Sequence, residues 1–229
     1  MSQKITIVGL EEHIALPLVL DAWERAGVHP NPHGGWGDAP FARRLRSTGE
    51  ERLADMDDQG IDMAVLSLNS PGVQNLSAAD APIVARDAND HLAAIVAERP
   101  DRFQAWATIP TADPTAAATE LERAVTRLGM VGAMLYGRTG DVLADSPAYD
   151  ELYAKAVELG VPLHFHPQVP TPGVIDSYYS GLGPAGMGLA TAGLGWYYDL
   201  GIQYMRMIFS GVFDRHPDLQ VVAGHWGEL

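Results

Sequence analysis

The chain has 229 residues, 47% of them hydrophobic, which is enough for one domain with a sizeable buried core. A formal net charge of −14 argues against nucleic acid or an anionic membrane as partner, and apolar runs this short neither span a bilayer nor form a leader segment, so a soluble cytoplasmic protein is expected. Cysteine is absent, which excludes disulfides and thiolate ligation and leaves histidine and carboxylate as the strong metal ligands.

Short β-branched runs alternate with longer stretches of helical spacing, the pattern of βα units around a parallel sheet. Six strands are expected, at about residues 4–10, 61–68, 103–109, 131–136, 161–166 and 219–224. Turn signals precede several of them: Gln59-Gly60, Arg99-Pro100, Leu128-Gly129 and Leu159-Gly160. Helices are expected over 50–59, 81–98, 114–128, 148–159 and about 197–215. Asp113-Pro114 and Ser146-Pro147 place a capping residue just before proline, a common helix start. No internal repeat stands out.

Residues 27–37 and 170–195 are rich in glycine and proline and read as long loops after the first and fifth strands. In a (β/α)8 barrel, loops after the C-terminal ends of strands overhang the active-site face. Such a barrel needs eight strands and about 250 residues. The expectation is therefore an α/β chain of the TIM-barrel type, one domain over 1–229, truncated after about six βα units. The alternative is a smaller α/β fold.

Three clusters of ligand-type residues sit at strand ends. Glu11-Glu12-His13 follows an apolar run, and because side chains alternate along a strand, Glu11 and His13 share one face. Titratable groups there carry a desolvation cost unless a metal or partner offsets it. A strand end reaching polar solvent accounts for them equally well. His164-Phe165-His166-Pro167 repeats the logic on the fifth strand, where proline places His166 at the rim. His164, one pleat deeper, reads as a hydrogen-bonded packing residue. In Gly224-His225-Trp226-Gly227-Glu228, His225 stands where an acid or base would, with Glu228 available to orient its ring. The competing reading is a glycine-rich turn with a surface histidine.

Six motifs in order carry a family resemblance. They are the Leu-Glu-Glu-His start, Ser67-Leu68-Asn69-Ser70-Pro71-Gly72-Val73-Gln74, Arg99-Pro100-Asp101-Arg102-Phe103, the His-Pro of strand five, Gly211-Val212-Phe213-Asp214-Arg215-His216-Pro217 and Gly-His-Trp-Gly-Glu. Together the chain resembles the amidohydrolase-related (amidohydrolase 2) family of γ-resorcylate and 2,3-dihydroxybenzoate decarboxylases, nearly over its full length.

The resemblance implies that Glu11, His13 and His166 bind one divalent metal, Zn, Mn or Mg, and that His225 and Glu228 act beside the substrate. Asn69, Tyr136 and Trp226 are the candidates for substrate binding. The family's fourth metal ligand, an Asp at the end of strand eight, has no counterpart here. Trp226 stands where the family more often has an aliphatic residue, so the motifs leave the substrate open.

The expected reaction is nonoxidative decarboxylation of a hydroxylated benzoate, or the reverse carboxylation of a phenol. A second reading is hydrolysis of a small lactone or acylated substrate by the same metal site. A third is a catalytically inactive barrel fragment or binding protein. The aromatics Trp36, Phe41, Trp196, Tyr197, Tyr198 and Trp226, in or near the presumed loops, favour an aromatic carboxylate as partner, although loop packing would also explain them. Self-association into a dimer or tetramer is implied for the full-length form by resemblance.

Overall fold

The computed structural model of the protein describes residues 5–28 and 40–227, apart from the side chains of Pro40 and Trp226. Among these residues are seven parallel strands: β1 (Val8–Ile14), β2 (Met63–Leu68), β3 (Phe103–Ala105), β4 (Ala107–Thr108), β5 (Ala133–Leu135), β6 (Leu163–Phe165) and β7 (Val221–Ala223). They form two sheets, β1-β2-β3 and β4-β5-β6-β7. The sheets are one wall broken at Trp106, whose amide donates to Leu66 O at 2.8 Å, while the next amide, of Ala107, donates to Gly132 O at 2.8 Å. The third expected strand is therefore split where it changes partner, and the wall holds six strand positions in chain order.

Alternation along β2 shows the two layers. Ala64, Leu66 and Leu68 face the helices, whereas Val65 joins Trp106, Met134 and Tyr136 in a small cluster on the other side. The indole N–H of Trp106 crosses that inner side to donate to Leu10 O at 2.8 Å, so the wall curves back on itself. This curvature brings the C-terminal ends of β1, β6 and β7 together.

The helices are α1 (Pro17–Ala26), α2 (Pro40–Arg46), α3 (Glu50–Gln59), α4 (Ala81–Glu98), α5 (Pro114–Leu128), α6 (Asp150–Leu159), α7 (Pro172–Val174), α8 (Pro184–Gly188), α9 (Gly195–Phe209) and α10 (Val212–Arg215). None of them is long and apolar enough to cross a membrane. Helix α5 shows why the sequence folds so: Asp113 Oδ1 accepts from the amide of Ala116 at 3.1 Å, Pro114 opens the first turn, and Gly129 closes the helix in the left-handed conformation. Ala117, Leu121 and Ala124 recur at helical spacing and are buried against the strands.

Several expectations are corrected. Strand β1 begins at Val8 and not near residue 4, and it runs on through Glu11, Glu12 and His13, which stand at its C-terminal end as expected, to Ile14. Pairing to β2 sets this: Gly9 faces Ala64 and Glu12 faces Leu66, leaving one extra residue on β1, a β-bulge. Helices α1 and α2 were not expected. Residues 170–195, expected as an open loop, instead fold into α7, α8 and two π-helical turns, Ile175–Tyr179 and Leu189–Gly193. The helix expected over 197–215 starts at Gly195 and breaks after Phe209, where Gly211 turns left-handed. The one expected from 148 begins at Asp150, after a 3-10 turn at Pro147–Tyr149. Of the loop expected over 27–37, residues 29–37, Trp36 included, lie outside the described residues.

Candidate metal centre

The bulge in β1 turns Glu11 and Glu12 to different neighbours. Glu12 points outward to Arg52, with Nη1 3.8 Å away, while Arg52 Nη2 donates to His13 O at 2.8 Å and so braces the strand end. Glu11 turns inward with His13. Strand β6 brings His166 to the same place, because Phe165 faces the helix layer and its neighbours His164 and His166 face inside. Glu11, His13 and His166 each offer a ligand atom, and these atoms all lie within 4.8 Å of one another.

Each candidate ligand has an outer partner. Nδ1 of His13 lies 2.8 Å from Ser67 Oγ on β2. Nδ1 of His166 donates to the carbonyl of Pro167 at 2.6 Å, which leaves the Nε2 lone pair for a ligand. Glu11 Oε2 accepts from the backbone N–H of His225 at 2.8 Å. Burial lowers the pKa of His13 to about 4, against the opposing pull of the Glu11 charge, and burial likewise holds His166 well below its ordinary value. Burial of Glu11 works in the other direction, but contacts with His164 and the His225 amide outweigh it and keep the carboxyl ionised. At neutral pH the site is therefore one carboxylate and two neutral imidazoles.

This donor set fits a divalent ion. Glu11 Oε1 is buried and makes no hydrogen bond among the described residues; His164 Nε2 approaches it only to 3.3 Å, so a cation there would relieve most of the cost of burying the oxygen. Borderline nitrogen and hard oxygen donors without sulfur suit Zn, Mn or Mg.

His225 follows β7, and its backbone takes the left-handed φ of 47°, uncommon for a residue with a side chain. Its neighbour Gly224 permits the approach, since a Cβ there would stand 2.7 Å from both Glu11 Oε1 and Phe165 O. Nε2 of His225 lies 3.1 Å from Nε2 of His166. Trp196 and Tyr197, at the start of α9, bring their ring centroids to 5.6 Å from that of His225. Tyr136 lies edge-on to His166 at 5.5 Å, with its hydroxyl donating to Leu68 O; burial and the nearby Glu11 charge raise its pKa, so it stays a neutral donor.

The structure thus gathers Glu11, His13, His166, His225 and Tyr136. Asn69 is buried next to β2, where Nδ2 donates to Ser70 O at 3.3 Å. The Trp226 side chain and all of Glu228 lie outside the described residues. Phe41 is 56% exposed on α2. His164 packs edge-on against Trp106 with centroids 5.4 Å apart, as a packing residue should, but neither ring nitrogen makes a hydrogen bond among the described residues, contrary to expectation. Ser67, the outer partner of His13, is a site residue that the sequence analysis does not single out. Its signal was a hydroxyl in an otherwise apolar strand, on the face opposite Leu66 and Leu68.

Residues 17–229 match the amidohydrolase family. The chain is 39% identical over 193 residues to decarboxylase orsB of Emericella nidulans, covering 82% of this chain and 56% of the relative. It is 37% identical over 233 aligned residues to a γ-resorcylate decarboxylase of Rhizobium sp. (strain MTP-10005), covering 96% and 66%. It therefore spans between 56% and 66% of the length of these two relatives. A crystal structure of 2,6-dihydroxybenzoate decarboxylase complexed with 2,6-dihydroxybenzoate superposes with a TM-score of 0.84 at 37% identity, over 97% of this chain and 68% of that one. The dihydroxybenzoic acid decarboxylase of Polaromonas sp. JS666, with bound manganese and the inhibitor 2-nitroresorcinol, gives 0.84 at 33% identity, over 97% and 66%. With its α/β parallel strands and its Glu/His/His group, the chain belongs to the amidohydrolase family.

Proposed function

We propose that this chain carries the metal-holding wall of a nonoxidative decarboxylase acting on a hydroxylated aromatic carboxylate of the γ-resorcylate or dihydroxybenzoate type. The observation that carries the reading is the convergence of Glu11, His13 and His166 beneath the rings of Trp196, Tyr197 and His225. The relatives' names place their own chemistry on such substrates.

Glu11, His13 and His166 would hold one divalent ion, which when bound supplies charge neutralisation for a carboxylate and its ortho-hydroxyl. The remaining work falls to the chain's own side chains. Trp196 and Tyr197 present ring faces and edges to an aromatic substrate and keep water from it. The indole N–H of Trp196 is buried with no partner among the described residues, ready for a substrate oxygen. His225 stands within reach to hold or pass the proton of the ortho-hydroxyl, with Glu228 as the group that orients it. In the reaction the ring carbon bearing the carboxylate takes up a proton, the bond to the carboxylate breaks, its electron pair returns to the ring and carbon dioxide leaves. Asn69 and Tyr136 are further substrate-binding candidates in this reading, with Trp226 a candidate from the sequence alone; the reading also includes a homo-oligomer and a cytoplasmic location.

A lactone or acyl substrate would need a position open to water, and the ring-lined wall around His225 favours the aromatic carboxylate over it. The test is metal analysis of the purified chain, followed by release of carbon dioxide from 2,6-dihydroxybenzoate by a form of relatives' length. About one ion per chain and formation of resorcinol are expected. A chain that retains no ion after incubation with Mn²⁺ would sink the proposal.

A further inference from the structure

We propose that His164 is a positioning residue for Glu11: its Nε2–H steers the carboxylate so that the Glu/His/His group closes on a divalent ion. The inference rests on the metal-site reading above and adds to it a residue that was expected only to pack.

His164 is 1% exposed, and its Nε2 lies 3.3 Å from Glu11 Oε1. At that distance the approach falls short of a formed hydrogen bond, and neither ring nitrogen makes one elsewhere among the described residues. A buried imidazole that only filled space would leave both polar atoms unpaid for, and a phenyl ring would pack on Trp106 as well. Among the described residues the polar group recorded beside His164 Nε2 is the Glu11 carboxylate, which gains from a donor there. The other ligands show the same plan, since His13 has Ser67 and His166 has the Pro167 carbonyl. Outer partners of this kind fix a ligand's orientation.

The Glu11 carboxylate needs two such partners, because it sits in the bulge of β1, where strand pairing does not fix its direction. The backbone N–H of His225 holds Oε2 and His164 faces Oε1. Each oxygen keeps a lone pair for the ion. Long contacts of this sort tighten when a site is loaded. Parity on β6 explains why one histidine can serve another's neighbour: His164 and His166 leave the strand on the same face, one pleat apart.

The experiment is calorimetric titration of the whole chain with Mn²⁺, comparing the unsubstituted protein with H164F, H164M and H164Q. H164F and H164M remove the donor, and both are expected to bind Mn²⁺ about 10- to 100-fold more weakly. H164Q keeps an amide donor and is expected to bind within about threefold of the unsubstituted chain. A merely structural role would not give this rescue, and thermal unfolding of the metal-free variants checks that the fold is intact. If H164F does not fold, H164M supplies the donor-less comparison. Binding by a donor-less variant as tight as that of the unsubstituted chain, or by H164Q as weak as by the donor-less variants, overturns the role of His164 and leaves the metal site standing. An unsubstituted chain that binds no Mn²⁺ overturns both.

Discussion

On the face covered by α4 and α5, the strands lie under Ala85, Ala88, Leu92, Ala117, Leu121 and Ala124, none more than 0% exposed. At the opposite seam, β1 leaves Val8 and Leu10 each 43% exposed and meets the end of β7 through the carboxylate of Glu11 on the His225 amide. Small apolar side chains on the first face let helices approach the sheet closely, and polar needs are met inside one network: Asn89 donates to Thr108 O and Glu120 Oε1, and Glu120 is clamped by Arg123. The seam does the reverse. It holds buried polar atoms that make no hydrogen bond among the described residues, and a left-handed histidine. Stability and ligand chemistry are thus assigned to different parts of one wall.

The comparison breaks most visibly through the core. Phe103→Ala, at a fully buried position, is expected to cost about 3–5 kcal/mol in urea unfolding while the folded fraction keeps its Mn²⁺ affinity. Parallel loss of both would show that the two regions are one unit. Next in size is the converse. His166→Ala should weaken Mn²⁺ binding by about 100-fold or more, roughly 2.7 kcal/mol, with little change in the urea midpoint of the metal-free chain.

Acid sharpens the contrast. The folded seam keeps His13 and His166 neutral, whereas in the unfolded chain each takes a proton near its ordinary value. Stability of the metal-free protein present above about pH 6.5 is therefore lost as pH falls towards 4, by up to about 1.4 kcal/mol per pH unit for each group. Unfolding curves that stay flat across that window would refute the burial argument, and H13N/H166N should flatten them. The smallest effect belongs to the exposed pair on α6. Asp150 is partly buried, which raises its pKa, but Arg215 and His216 lower it further, so Asp150→Asn should cost at most about 0.5 kcal/mol at pH 7. The difference should vanish once the pH drops through the lowered folded value, where Asp150 is protonated anyway.

How far the sequence discloses these regions follows the same division. Helices α3, α4 and α5 have the expected bounds because their ends carry local signals: Gly60, Arg99-Pro100 and Asp113-Pro114 with Gly129. Helix α1 carried signals too, Pro17 in its first turn and Gly27 at its left-handed end, but the residue that precedes it, Leu16, offers no capping side chain. In β1 the apolar residues from Ile5 drew the expected strand towards the N-terminus, while pairing with β2 decides where it lies. That Glu11, His13 and His166 come together was legible from parity and strand ends. The Glu11–His164 contact and the Trp106–Leu10 bond were not, since they depend on how the wall curves, which no local window contains.

The bond from the His225 amide to Glu11 joins residues 214 apart in sequence. Closing so long a loop carries a large entropic cost with little local structure to offset it, whereas α4, β4 and α5 touch near neighbours. The centre therefore has an order in time as well as a place: strands and helices of the middle can form early, and the Glu11 carboxylate acquires its final orientation only when the segment after β7 has folded back onto β1. A ribosome that has not yet delivered Gly224 and His225 carries a chain with a core and no finished centre.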